Sequence, residues 1–237
     1  MTMSLIKDNI DGIRRRMDAA AEKSGRNGDE VLLIAVTKLH TPDEINEAID
    51  SGITDIGENK VQEILDKYDR VKPVRWHLIG HLQTNKVKYI IDKVSLIHSV
   101  DSLHLAKEID KRAANAGKTM DVLVQVNPEG EETKFGTSMD DAVKLVDDIS
   151  AECPNVFIKG LMCIAPLAEE PEEVRPVFAE VKALFDRLAV ETRERVEMRY
   201  LSMGMSGDFE VAIEEGANVV RVGTAIFGNR NYRQEEK

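Results

Sequence analysis

Eight short apolar runs, each followed by a stretch with helical periodicity, constrain the fold of this chain most strongly. Continuous apolar runs of this length are typical of strands buried on both faces of a parallel sheet. Eight such units favour a closed (β/α)8 barrel over an open doubly wound sheet, which commonly has about five or six strands. The runs are LLIAV (32–36), ITDIG (53–57), VRWHLIG (74–80), SLIHSV (95–100), MDVLVQVN (120–127), NVFIKGLM (155–162), EMRYLSM (197–203) and NVVRVG (218–223).

The chain length agrees with a single barrel. Its 237 residues are close to the roughly 250 of one TIM barrel, and no Pro- or Ser-rich linker divides the sequence. We therefore predict an α/β protein with one domain, a (β/α)8 TIM barrel over residues 1–237, preceded by an amphipathic helix at about 3–24 and ended by a short polar tail, NYRQEEK. Among the intervening helices, we predict one over about 83–91 and a long one over 172–191.

Charge and cysteine content limit the partners and the compartment. The net charge of −11 argues against a nucleic-acid partner, because proteins that bind phosphate backbones usually have a basic surface. Two cysteines are too few for a disulfide framework, which suits a reducing cytosol. No apolar stretch has the length of a signal peptide core or a transmembrane helix, so we expect a cytoplasmic protein without a membrane partner.

Lys38 lies where the first apolar run stops, just before a helix start at Thr41-Pro42. In a closed α/β barrel, that carboxyl end of the strands is the reactive face. A lysine with apolar neighbours loses hydration, and its neutral amine can then condense with a carbonyl group. The alternative is a solvated loop lysine, which is the more common environment of this residue.

The loops after the seventh and eighth runs are the expected phosphate site of such a barrel. They read LSMGMSGD (201–208) and VGTAIFG (222–228). Their glycines let backbone N–H groups approach an anion closely, and hydroxyl donors are supplied by Ser202, Ser206 and Thr224. A loop of this kind alone is more often an ordinary turn between strand and helix, but the pair in these positions favours a phosphate.

Arg221 lies within the eighth run, between two valines. A guanidinium buried there needs a partner, either a carboxylate of the barrel or a bound heteroaromatic ring. His77 and His81 have the spacing of a paired metal site, but Leu78 stands where a helical HExxH zinc site has glutamate, and the segment has a strand pattern. We predict no metal site.

Several motifs in sequence order make the chain resemble the pyridoxal phosphate homeostasis protein family, also called the YggS or PROSC type. The resemblance runs from about Val31 to Tyr232. The motifs are AVTK (35–38), GENKVQE (57–63), WHLIGHLQTNK (76–86), HSVD (98–101), VNPEGEETKFG (126–136), GLM (160–162), SMGMSGD (202–208) and VRVGTAIFG (220–228).

The resemblance implies a barrel similar to the N-terminal domain of alanine racemase, the fold-type III arrangement, with pyridoxal 5′-phosphate (PLP) as cofactor. It implies that Lys38 forms a Schiff base with PLP, that Arg221 faces the pyridine nitrogen, and that Asn59 lines the pocket. Lys134 matches a family lysine without an assigned role, and His81 replaces a proline at the pocket rim. The positions that match the family's phosphate-binding residues are Ser202, Ser206, Gly223 and Thr224.

The predicted site limits the chemistry. An arginine that stays charged leaves the pyridine nitrogen unprotonated, which makes PLP a weak electron sink and disfavours transamination. Racemisation by two bases needs a second acid/base group, which a second domain supplies in alanine racemase. Since this chain stops soon after its eighth strand, we expect a cofactor face open to solvent and assign no catalytic residue.

Four functional hypotheses follow. The first is a PLP carrier that acts in intracellular PLP homeostasis and delivery without efficient catalysis. The alternatives are a PLP-dependent amino-acid racemase or related enzyme, a Schiff-base aldolase that uses Lys38 without cofactor, and an interaction scaffold. The partners expected for the carrier are PLP, related B6 vitamers and PLP-dependent client enzymes, and we expect a monomer.

Overall fold

The computed structural model describes residues 5–130 and 135–228. Its strands are β1 (Leu32–Val36), β2 (Asp55–Glu58), β3 (Arg75–Leu78), β4 (Leu96–Val100), β5 (Met120–Val126), β6 (Val156–Cys163), β7 (Val196–Ser202) and β8 (Val219–Val222). They pair in sequence order as a closed parallel barrel, in which β8 returns to β1 with Ile34 opposite Arg221. The predicted (β/α)8 barrel is confirmed.

The α-helices cover the outside of the barrel, and the side chains of Thr41, Ser102 and Ser138 cap the starts of the helices that follow them. They are α1 (Leu5–Lys23), α2 (Pro42–Asp50), α3 (Val61–Lys67), α4 (Leu103–Asn115), α5 (Met139–Glu152), α6 (Arg175–Val190), α7 (Phe209–Glu214) and α8 (Thr224–Phe227). At α2, Thr41 Oγ1 accepts the Glu44 N–H at 3.3 Å, and the Glu44 carboxylate accepts the Thr41 N–H at 2.7 Å. Helix α1 corresponds to the helix predicted at about 3–24.

The helix predicted over 83–91 is instead a 3-10 helix, Thr84–Tyr89. Its start lacks a side-chain cap. Val87 and Ile90 are both fully buried, and residues three apart lie on one side of a 3-10 helix. Burial of these two side chains therefore suits the tighter winding.

The long helix predicted over 172–191 is divided in two. A 3-10 turn, Pro171–Val174, precedes α6, which starts at Arg175. Pro176 explains the division, because its ring is compatible with the first turn of a helix but clashes with a turn that continues before it. The second strand also differs from the run 53–57: β2 extends to Glu58, which pairs with Leu78.

Helix α1 packs against α7, α8 and α2. Its residues Ile10, Ile13 and Met17 are buried in the main hydrophobic core. The Asn9 side chain donates to the carbonyl of Ile226 at 2.8 Å. Within residues 5–130 and 135–228, no helix combines the length and the apolar character that crossing a bilayer requires.

Candidate functional site

Lys38 lies in a two-residue turn directly after β1, at the carboxyl end of the barrel. Its side chain is half-buried. The preceding Thr37 is fully buried, and the following Leu39 has a positive φ of 66°. That conformation is uncommon for a residue other than glycine, so the turn needs support from its surroundings.

Support for this turn comes from Lys67 at the end of α3. Its ammonium donates to the Thr37 carbonyl at 2.9 Å and to the carboxylates of Glu58 and Glu63, both at 2.8 Å. Lys67 is 8% exposed and Glu58 is fully buried. Each of these buried charges keeps a hydrogen-bonded partner of opposite sign, although Glu58 uses only Oε1 and its Oε2 is buried without a partner.

The two carboxylates hold the residues on either side of Lys38. Glu58 accepts the Thr37 hydroxyl at 2.7 Å, and Glu63 accepts the Leu39 N–H at 2.6 Å. Burial raises the pKa of Glu58. Burial also opposes the ionisation of Glu63, but the hydrogen bonds from Leu39 and Lys67 outweigh it and lower the pKa of that carboxyl group. Sequence reasoning missed this cluster, whose only signal was the GENKVQE motif.

Ser206 joins the loops after β7 and β8. Its hydroxyl oxygen accepts the N–H groups of Gly223 at 3.3 Å and Ala225 at 3.4 Å. Thr224 lies between these two amides and is exposed. The two loops predicted to form a phosphate cradle are therefore brought together, with a free approach to Thr224 from solvent.

The cradle of these two loops, residues 202–208 and 222–225, adjoins the strand that carries Lys38. A side chain at Gly223 would place its Cβ 3.2 Å from the Val36 carbonyl oxygen. At Gly204, where φ is 91°, a Cβ would lie only 2.6 Å from the Cβ of Ala212. Glycine at both positions permits the close approach that packs the cradle against β1 and α7.

Asp208, which sequence reasoning missed, supports the first of these loops from the start of α7. Its carboxylate accepts the Met205 N–H at 2.5 Å. Burial raises the pKa of this carboxyl group. An acid directly before a helix was the available sequence signal.

Arg221 points its donors at two neutral acceptors. Nη1 donates to Ser202 Oγ at 2.6 Å, and Nη2 donates to the Cys163 carbonyl at 2.8 Å. Within the described ranges, none of the ion pairs involves this guanidinium, so the barrel carboxylate considered from the sequence is not its direct partner. Arg221 is 4% exposed, and burial lowers its pKa. Ser202, the first residue of the cradle, is fully buried.

A line of buried polar side chains continues from Ser202 across the barrel. Ser202 Oγ lies 3.0 Å from His98 Nδ1, His98 Nε2 lies 3.0 Å from His77 Nδ1, and His77 Nε2 lies 2.9 Å from Asp55 Oδ1. Since β4 and β7 are not neighbouring strands, the contact between His98 and Ser202 crosses the barrel interior. Sequence reasoning considered His77 only as a possible metal ligand, named His98 only within the HSVD motif and missed Asp55.

The remaining predicted positions lie at the rim. Asn59 follows β2 and is half-buried. The backbone of Gly80 packs closely against it, since a Cβ at Gly80 would lie 2.3 Å from the Asn59 carbonyl oxygen. His81 stacks on Phe135 with ring centroids 3.7 Å apart. Lys134 lies outside the described residues. His77 and His81 are separated, one inside the barrel and the other on the rim, and the described ranges contain no group of side chains that could hold a metal ion.

Comparisons with known proteins decide the family. Residues 8–231 match the family described as alanine racemase, N-terminal domain. The pyridoxal phosphate homeostasis protein of Aquifex aeolicus is 46% identical over 227 residues, which cover 95% of this chain and 98% of that relative. This chain belongs to the pyridoxal phosphate homeostasis protein family. Its counterpart in Escherichia coli K12 is 35% identical over 98% of this chain and 100% of the relative.

Solved structures agree with this family. PipY of Synechococcus elongatus with PLP bound has a TM-score of 0.81 and 33% identity, and the match covers 94% of this chain and 100% of PipY. Alanine racemase of Clostridium difficile 630 has a TM-score of 0.68 at 13% identity, and the match covers 57% of its chain. The second likeness shows the fold alone.

Proposed function

We propose that this chain, a member of the pyridoxal phosphate homeostasis protein family, binds PLP as a Schiff base at Lys38. It holds the cofactor and delivers it in the cell without efficient catalytic turnover. The observation that carries the proposal is the position of Lys38, after β1 and beside the cradle formed by the loops that follow β7 and β8. PipY, whose whole chain is covered by the match, binds PLP. Asn59 and Ser202 complete the proposed pocket.

The donor set suits PLP. The cofactor presents a phosphate, an aldehyde and a pyridine nitrogen, and these would meet the cradle, the amine of Lys38 and the guanidinium of Arg221. Ser206, Gly223 and Thr224 would hold the phosphate, since hydroxyl and backbone N–H groups are its usual donors. The close packing of Gly223 against Val36 keeps this cradle next to the strand of Lys38.

A carrier role agrees with the charge state of Arg221. Bound PLP supplies an electrophilic carbonyl and a ring that withdraws electrons. A guanidinium donates protons in hydrogen bonds and does not accept one, so Arg221 would keep the ring nitrogen unprotonated and limit electron withdrawal. For the racemase and cofactor-free aldolase alternatives, we find no specific supporting observation beyond the shared fold.

The proposed setting of the carrier is the cytoplasm, where a monomer would exchange PLP and related B6 vitamers with PLP-dependent client enzymes. The net charge of −11 gives no support to a nucleic-acid partner. The monomer would be checked by sedimentation velocity with and without PLP, where a doubled mass would contradict it.

The visible spectrum of purified protein titrated with PLP tests the proposal. We expect the absorbance of a Schiff base in the unmodified protein and its loss in Lys38→Ala, with Lys88→Ala, an exposed lysine on the outside of the barrel, as the matched control. Borohydride reduction and mass spectrometry should then locate a pyridoxyl adduct on Lys38. A band that survives Lys38→Ala would contradict the proposal, and an adduct with a sugar aldehyde alone would favour the aldolase.

A further inference from the structure

The ends of the buried line from Arg221 to Asp55 determine the direction of its hydrogen bonds. A guanidinium carries only donors, so Arg221 donates to Ser202. An ionised carboxylate carries only acceptors, so His77 Nε2 donates to Asp55. Burial opposes the ionisation of Asp55, but hydrogen bonds from His77 and Arg75 outweigh it and hold the pKa of this carboxyl group below its usual range.

The middle of the line admits one arrangement that satisfies every polar atom. A single proton lies between His77 Nδ1 and His98 Nε2. If this proton were on His77 Nδ1, a neutral His98 would carry its own proton on Nδ1 and would donate it to Ser202 Oγ. Ser202 would then accept from both His98 and Arg221, and its own hydroxyl proton would have no acceptor among the described residues. If His98 Nε2 holds the shared proton, His98 Nδ1 accepts the Ser202 hydroxyl. Burial is the main reason that the pKa of His98 lies well below its usual value, and the charge of Arg221 lowers it further.

We propose that Arg221, Ser202, His98, His77 and Asp55 form a donor chain in which each group donates to the next, and that the two histidines are positioning residues for Arg221. Aligned hydrogen bonds polarise one another, so Ser202 becomes a stronger acceptor for the guanidinium. This donor chain connects the buried guanidinium of Arg221 to the carboxylate of Asp55 through three intervening side chains, without a direct ion pair between the two charges. Its effect on bound PLP rests on the proposed function, in which Arg221 faces the ring nitrogen.

The donor order is tested on protein without ligand. In protein labelled with 15N-histidine, long-range 1H–15N correlation spectra at pH 7 are expected to show His77 and His98 as neutral rings that carry a proton on Nε2 only. Comparison with His104→Phe, which removes an exposed ring, assists the assignment. A His98 ring protonated at Nδ1, or a His77 ring protonated at both nitrogens, would overturn the donor order.

The positioning role is tested by His77→Phe, which breaks the chain at a ring whose hydrogen bonds go to Asp55 and His98. Rotation of the Arg221 guanidinium about its Nε–Cζ bond, measured by 15N NMR, is expected to become about twofold faster, because the bond from Arg221 to Ser202 remains but is no longer polarised by the bonds beyond it. The control His104→Phe should leave the rate unchanged. If His77→Phe does not fold, His98→Phe breaks the chain at the ring that contacts Ser202 and is measured in the same way. An unchanged rotation rate in a folded variant would overturn the role.

A second readout uses PLP. The absorption maximum of bound PLP is expected to shift in His77→Phe and not in His104→Phe, because the donor facing the ring nitrogen is less well held. If both variants bind PLP and neither shifts its absorption maximum, the proposed effect of the donor chain on the cofactor is contradicted. If unmodified protein does not bind PLP, the proposed function fails, whereas the two NMR experiments still decide the donor chain.

Discussion

The hydroxyl of Ser206 determines how two loops of the barrel meet. By accepting the N–H groups on both sides of Thr224, it places the Thr224 side chain at the centre of the cradle. No apolar residue could do this, because the two amides would lose their acceptor. The local geometry of the proposed phosphate site therefore depends on one oxygen atom.

Thr224→Val tests this placement. Valine keeps the shape of threonine and removes its hydroxyl, so PLP binding should weaken by roughly 1–3 kcal/mol, the usual loss when a charged acceptor forfeits a donor. Titration of protein absorbance with PLP measures the affinity. The matched control is Thr119→Val, an exposed threonine at the amino end of β5. Equal affinity of the two variants would place the phosphate elsewhere.

The carboxyl group of Asp55 makes the free energy of unfolding depend on pH. Its pKa is lowered on folding from 3.8, so the folded state binds fewer protons than the unfolded state, and its stabilisation is complete well above pH 3.8 and lost as the pH falls toward the folded value. Asp55→Asn should reduce the free energy of unfolding by roughly 1.5–3 kcal/mol at pH 7. Urea unfolding from pH 7 to pH 3 should show this difference narrowing below about pH 4. A constant difference would contradict the assignment.

At the scale of elements, α3 holds the turn between β1 and α2. Lys67 and its two acids bind the backbone or hydroxyl groups on either side of Lys38. The reactive amine is therefore carried by a turn whose geometry is imposed from a neighbouring βα unit. This explains how Leu39 keeps a positive φ.

Lys67→Met should destabilise the protein by about 3–5 kcal/mol, because removal of one partner leaves Glu58 as an uncompensated buried charge. Urea unfolding at pH 7 measures the loss. Adding Glu58→Gln to Lys67→Met should recover part of it. Lys60→Met, an exposed lysine before α3, is the matched control, and a loss as small as in this control would mean that the cluster does not support the turn.

At the scale of the whole molecule, packing of α1 against the helices that follow β7 and β8 stabilises the cradle. Helix α1 contacts α7 and α8, and its Asn9 side chain donates to the Ile226 carbonyl. Its ion pairs to α7, Arg16 with Glu210 and Lys23 with Glu214, contribute little, because solvent screens such pairs. Burial of its apolar face supplies most of the attachment.

Ile10→Ala tests this attachment. Ile10 is fully buried, so the variant should lose about 2–5 kcal/mol of unfolding free energy, and hydrogen exchange at residues 223–227 should become faster. Leu5→Ala, at a position 71% exposed, should change stability by less than about 0.5 kcal/mol. Unchanged exchange at 223–227 in Ile10→Ala would show that the cradle is stable without this support.

Much of the architecture could be predicted from local patterns. Apolar runs and capping residues predicted the eight strands, the start of α2 and the end of β1 shortly before Lys38, because burial periodicity and caps act over a few residues. The predicted bounds were wrong where a second local signal opposed the helical periodicity. Pro176, for example, divides the helix predicted over 172–191 into a 3-10 turn and α6. The resemblance of its ordered motifs also predicted the family from sequence alone.

Barrel closure decided the rest. His98 and Ser202 are 104 residues apart in sequence and meet only because their strands face each other across the interior. Glu58 and Lys67 likewise meet Thr37 through packing between successive βα units. The order of residues therefore determined which segments become strands and helices, whereas the three-dimensional packing determined which buried polar groups are paired, since those partners come from elements that no local pattern relates.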